Sequence, residues 1–130
     1  MDVVNWSVDM ALGIASMDKS HQALLNALAQ LCGANDAQFP AQFTVVVEAV
    51  ETDFRDEEAD MERIEFSGTR RHREEHARVL AALHHVEQRV LEGDIDQGRE
   101  AIRLLPEWFL MHQASMDRKL AEALRAAALV

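Results

Sequence analysis

Residues 69–91 read TRRHREEHARVLAALHHVEQRVL. Within this stretch His72, His76, Val79, Leu83, Val86 and Val90 recur at steps of three or four, the spacing that lines up side chains on one face of an α-helix. The stripe is apolar toward its C-terminal end and imidazole toward its N-terminal end. The helix is expected to begin after Thr69 and to run to Leu91, with Gly93 just past it, the residue type that commonly ends helices. Upstream, a second helix is expected from Pro40, a residue suited to a first helical position, to just before Ser67-Gly68. Its stripe is Val46, Val50, Asp53, Glu57, Met61 and Ile64. A helix before that starts near Ser16 or Asp18, either a fitting N-cap, and stops at Gly33; it presents Met17, His21, Leu24, Leu28 and Leu31. Downstream, a fourth follows Asp96 and reaches the Met111–Met116 neighbourhood, presenting Ala101, Leu105, Trp108 and His112. Pro106 predicts either a kink in it or a later start. An ordered arm over 1–15, around Trp6, and an amphipathic piece over 117–128 complete the chain. Four helices joined by short loops predict an all-α, antiparallel up-down-up-down four-helix bundle, one domain spanning 1–130.

Composition agrees with that class. Of 130 residues, 48% are hydrophobic and 28% charged, enough for one core, and five glycines with two prolines are too few for a fold built on many tight turns. Tyrosine is absent and aromatics make up 5%, so an aliphatic core is expected. The net charge of −10 argues against nucleic acid or an anionic membrane as partner, and no apolar run approaches the ~20 residues of a spanning helix. Cys32 is the only cysteine, which excludes an intrachain disulfide and a thiolate-rich metal site. The start, Met1-Asp2-Val3-Val4-Asn5-Trp6, lacks the basic-then-apolar order of a signal peptide, so a cytoplasmic location is expected.

In an antiparallel bundle the His21 end of the first helix meets the C-terminal half of the second. That half meets the start of the third, which meets the end of the fourth. The polar members of the four stripes therefore converge at one end of the core. An unpaired buried carboxylate or imidazolium costs several kcal/mol, so the cluster needs either a hydrogen-bonded salt network or metal ions. Imidazole and carboxylate suit iron, zinc or manganese. One histidine in an apolar stripe is ordinarily a hydrogen-bonded core residue, whereas registration of four such stripes favours metal. His84 and His85 lie beyond His76 and read as surface residues, as do Asp60, Asp56, Glu58, Glu74 and Glu75.

Taken jointly, Trp6, Asp18-Lys19-Ser20-His21, Asp53-Phe54-Arg55-Asp56-Glu57-Glu58 with Met61, His72-x-x-x-His76, and Trp108-Phe109-x-x-His112-x-x-x-x-Asp117 resemble the bacteriohemerythrins, single-domain members of the hemerythrin family, over about residues 6–120. The resemblance implies a non-haem centre of two iron ions, oxo- or hydroxo-bridged, that binds dioxygen reversibly. It implies that His72, His76 and His112 hold one iron, that His21 holds the other, and that Glu57 and Asp117 bridge them, with an open position for dioxygen on the second. Leu24, Trp108 and Phe109 are expected to keep that position dry. Because five residues of α-helix rotate by about 140°, a local break after His112 is expected if Asp117 shares its site; the alternative for Asp117 is an N-cap of the last helix.

The chain departs from the family pattern at Asp53, where the resemblance implies histidine. Three consequences follow in order of preference: Asp53 ligates the second iron, water stands in its place, or the second position is lost. One more carboxylate ligand favours ferric iron and moves the site toward carboxylate-rich centres that activate oxygen or peroxide. The expected function is a dioxygen-binding carrier, store or sensor rather than an enzyme. The alternatives are a di-iron oxidase or peroxidase, a mononuclear or other-metal protein, and a helical adaptor for an unknown protein partner. Dioxygen, another diatomic molecule or peroxide would be the ligand.

Overall fold

The computed structural model describes residues 5–128. Each apolar-periodic segment is a helix: α1 (Ala15–Cys32), α2 (Phe39–Arg63), α3 (Thr69–Leu91) and α4 (Ile95–His112). α4 passes without interruption through a π-helical turn, Gln113–Asp117, into α5 (Arg118–Ala128), and a 3-10 turn at Val8–Met10 precedes the bundle. Each of the first three helices packs on the next and α4 closes on α1, so the bundle is all-α with a leading arm and a short last helix. Residues 1–4 of the expected arm lie outside the described residues. Among the described residues no helix is long and apolar enough to cross a membrane.

The helix ends show local chemistry at work. α3 ends where expected, and Gly93 just beyond it has φ +108°, a conformation that side chains with a Cβ disfavour. α4 begins at Ile95, before the expected Asp96, because Asp94 is the N-cap: its carboxylate accepts from Gln97 N–H at 3.1 Å. Pro106 neither delays that start nor ends the helix; it is buried in the middle of α4, at the cost of one hydrogen bond to the Ile102 carbonyl. α1 begins at Ala15 without a side-chain cap. Asp18 instead accepts from Leu12 N–H (2.8 Å) and Gly13 N–H (3.3 Å), tying the arm to the first turn. Arg125 of α5 donates to the Leu12 carbonyl from the other side.

Most of the core is aliphatic, as expected, but not all of it. Phe39, Phe43, Phe54 and Phe109 are all fully buried, and they are the largest side chains in the core. A low aromatic total says nothing about position; these few rings sit on inward faces. On α4 the inward face is Gly98, Ile102, Leu105, Pro106, Phe109 and His112, so Ala101 and Trp108 lie at its half-buried edge. Gly98 is there because a Cβ would come within 2.5 Å of Phe39 Cε1 and Val90 Cγ2.

The core is split in two. A large apolar cluster contains Leu24, Leu28, Val50, Phe54, Leu83 and Phe109, and a smaller one contains Leu12, Met17, Met61, Leu120, Ala121 and Leu124. Along α1 the chain passes from Met17 through His21 to Leu24, and along α2 from Phe54 through Glu57 to Met61. From α4 to α5 it passes from Phe109 through His112 and Asp117 to Leu120. The polar layer thus lies between two dry clusters.

Candidate metal centre

Four helix faces and one irregular turn build the layer. α1 contributes His21, α2 contributes Asp53 and Glu57 one turn apart, α3 contributes His72 and His76 one turn apart, and α4 ends on His112. Asp117 reaches the same place because residues 113–117 form a π turn, whose wider loop brings the fifth residue back over the first. The break expected after His112 is therefore present. Asp117 is fully buried inside a continuous helix, which removes its alternative role as an N-cap.

Every residue singled out from the sequence arrives in the layer: His21, Asp53, Glu57, His72, His76, His112 and Asp117 are each at most 5% exposed. They form two overlapping groups. Glu57, His72, His76, His112 and Asp117 make one and His21, Asp53, Glu57 and Asp117 the other, each with one potential ligand atom per residue and all such atoms within 4.8 Å of one another. Glu57 and Asp117 are shared, and each divides its oxygens between the groups. Asp117 Oδ1 is 3.1 Å from both His72 Nε2 and His112 Nε2, while its Oδ2 is 3.1 Å from His21 Nε2. Glu57 Oε1 is 3.1 Å from His76 Nε2 and 3.4 Å from His72 Nε2, while its Oε2 is 3.2 Å from His21 Nε2. Asp53 Oδ1 is 3.6 Å from His21 Nε2.

Of these approaches His21 Nε2 to Glu57 Oε2 is a hydrogen bond, while the others are close but poorly aligned for one. Both oxygens of Asp53, both of Asp117, Glu57 Oε1 and His76 Nε2 are buried and make no hydrogen bond. His72 Nε2 and His112 Nε2 lie 3.1 Å apart. Two nitrogens bound at right angles to one cation at about 2.1 Å would lie about 3 Å from each other. Orphaned oxygens and converging nitrogens are what a cation requires, and the donor set suits borderline metals.

The electrostatics point the same way. Burial disfavours charge on His21, yet the carboxylates of Asp117, Glu57 and Asp53 prevail and raise its pKa to about 10. For His72 burial is likewise overcome by Asp117 and Glu57, and its pKa rises to about 9. Asp117 and Glu57 resist burial through their close histidines and stay below the ordinary carboxylate range, Asp117 well below. Asp53 behaves differently: burial first, and then the negative Glu57, push its carboxyl well above the ordinary range. The metal-free layer therefore stores protons that a cation would displace.

Around the layer, Phe109 meets His21 edge-on with ring centroids 5.3 Å apart, and Leu24, one turn on from His21, is buried. Trp108 belongs to the other half, stacked on His112 at 4.6 Å and half-buried. Phe54 stacks on His76 at 3.8 Å, with the ring planes 4° apart.

Three contributors were not legible beforehand. Glu58, read as part of an exposed face, accepts from His76 Nδ1 at 2.9 Å. The signal available was that a ligating histidine needs an acceptor for its second nitrogen. Gln113 is buried and donates to the Met10 carbonyl at 2.7 Å, fastening the arm over the π turn. A helical wheel cannot assign a face inside such a turn. The role of Phe54 was hidden by the expectation of an aliphatic core. His84 and His85 are exposed as expected, and Asp60 pairs with Arg63 at the surface.

Comparison with known proteins gives a consistent result. Residues 12–124 match the family model described as the hemerythrin HHE cation binding domain. Over 118 residues the chain is 36% identical to the bacteriohemerythrin of Ralstonia nicotianae, covering 91% of this chain and 86% of that protein. Two crystal structures of hemerythrin point variants share the fold with a TM-score of 0.85, each at 17% identity, covering 95% of this chain and 98% of theirs. With the family model matched over nearly the whole bundle, and a relative this similar along most of its length, the chain belongs to the hemerythrin family.

Proposed function

We propose that the chain holds two iron ions and binds dioxygen as a carrier, store or sensor. His72, His76 and His112 hold one ion, His21 and Asp53 hold the other, and Glu57 and Asp117 bridge them. The observation that carries this reading is the division of both shared carboxylates, one oxygen toward the three-histidine group and one toward His21. A single-ion site would not need two carboxylates each facing two ways. When bound, the iron pair supplies redox capacity and an open position for a small ligand. The chain supplies the surroundings: Leu24 and Phe109 exclude water from the His21 side, and the two apolar clusters seal the layer above and below. The name of the Ralstonia relative supports the iron and dioxygen reading.

Asp53 favours a second reading beside this one. Its oxygens carry no hydrogen bond and one of them lies within 4.8 Å of a potential ligand atom of His21, Glu57 and Asp117, which supports ligation over a displaced water or a lost site. A third carboxylate stabilises the higher oxidation state, so oxidase or peroxidase chemistry is the competing function. Elemental analysis of iron-loaded protein, followed by oxygen titration and peroxide turnover with a reducing co-substrate, tests both. Two irons per chain with a reversible, oxygen-dependent charge-transfer spectrum support the carrier reading. Two irons with peroxide turnover and no reversibility support the enzyme, and one metal or fewer defeats the two-iron reading.

A further inference from the structure

Among the groups of the centre, His76 has its ring held from outside the layer. Its Nε2 lies 3.1 Å from Glu57 Oε1 yet makes no hydrogen bond to it, while its Nδ1 bonds Glu58 Oε2 at 2.9 Å. The ring orientation is therefore set by Glu58 at one edge and by the Phe54 face, not by Glu57. The Nδ1 atoms of His21 and His72 make no hydrogen bond. Glu58 projects from α2 toward α3, is partly solvent-accessible, and has its other oxygen 3.3 Å from Arg73 Nε.

We infer that Glu58 is a positioning residue for the three-histidine half of the centre, and that Arg73 moderates its charge. This rests on the two-iron reading above. An imidazole that binds a cation through Nε2 must carry its proton on Nδ1. A carboxylate at Nδ1 selects that tautomer, aims Nε2 at the layer and makes it a stronger donor. Greater donation from His76 stabilises the higher oxidation state at that position, so Glu58 lowers its reduction potential. Arg73 draws charge from Glu58 and limits the effect. The two act from the surface side of α2 and α3, where a soluble molecule can reach them without entering the core.

The test uses iron-loaded protein with Glu58→Gln, Glu58→Ala and Arg73→Ala, read by chelator competition and spectroelectrochemical midpoint potential. Glu58→Ala should weaken iron retention about 10- to 100-fold. Glu58→Gln keeps an acceptor at Nδ1, so it should retain most of the affinity while raising the potential; Arg73→Ala should lower it. A wild-type potential in both Glu58 variants, with wild-type retention, overturns the inference. Nitrogen NMR of His76 in the metal-free protein gives a readout independent of iron: Nδ1-protonated in the wild type, a tautomer mixture in Glu58→Ala. An unchanged tautomer also overturns it. Failure of the wild type itself to bind iron would defeat the two-iron reading and leave the tautomer experiment to judge Glu58.

Discussion

Loading the metal-free protein with ferrous iron should expel protons, and the structure sets how many. His21, at a pKa of about 10, and His72, at about 9, are both charged in the metal-free fold near neutrality, because buried carboxylates surround them. At pH 8 they together hold about 1.9 protons, and at pH 10 about 0.6. A cation bound through the same nitrogens must displace them, so release from this pair falls by more than one proton between those pH values. Burial and the negative Glu57 also push the Asp53 carboxyl up, and Asp53→Asn separates it from the imidazole count. Any ionisation of water at the metal would rise with pH and oppose this fall, so metal-free stability, which it does not affect, serves as the second readout. Anaerobic additions of iron in weakly buffered indicator solution, or calorimetry in buffers of different ionisation enthalpy, measure the count. The same protons govern stability. Both folded-state pKa values lie above the ordinary 6.5, so their stabilisation is complete below that pH and is lost as pH rises through 9 and 10, with a slope of up to about 1.4 kcal/mol per pH unit for each proton. Proton release and metal-free stability that are both flat from pH 7 to 10 would refute the charged-imidazole picture.

Other outcomes follow from particular contacts. On the two-iron reading, Asp53→His should leave metal stoichiometry unchanged and slow autoxidation, since it removes a buried negative charge from the His21 half; faster autoxidation would count against the charge argument. Leu24→Asn should quicken autoxidation by admitting water beside His21, and an unchanged rate would remove Leu24 from the dry wall. Gly98→Ala forces a methyl into 2.5 Å contacts with Phe39 and Val90 and should cost about 1–3 kcal/mol in urea unfolding, with metal stoichiometry unchanged. Gln113→Leu breaks the 2.7 Å bond to the Met10 carbonyl and should cost about 1–2 kcal/mol. Faster amide exchange across Val8–Leu12 would show that the arm has loosened.

Much of the fold was legible because a bundle helix must show its buried face at a period near 3.6. The α1 and α2 stripes hold from Met17 to Leu31 and from Val46 to Met61, and every polar residue in the four stripes lies in the buried layer. Boundaries were less legible where capping residues compete. Asp94 and Asp96 offer the same chemistry two residues apart, and Asp18, a plausible cap, is used to hold the arm. The α4 face was displaced because Gly98 and Pro106, ordinarily turn residues, are both buried there.

The sequence by itself determined which elements form and which polar side chains their regular helical faces carry into the core, since both depend on periodicity along one chain. Tertiary structure alone decided how those groups share their atoms. Whether Glu57 and Asp117 face one site or two is a matter of which oxygen points where, and that depends on four helices meeting at a common height. It also decided the π turn that brings Asp117 into the layer, because a wider turn has no distinct residue pattern and is held by contacts made elsewhere, including Gln113 to Met10. Glu58 belongs to this second kind. Beside Glu57 in the chain it looks like surface, and only the approach of α3 places His76 against it.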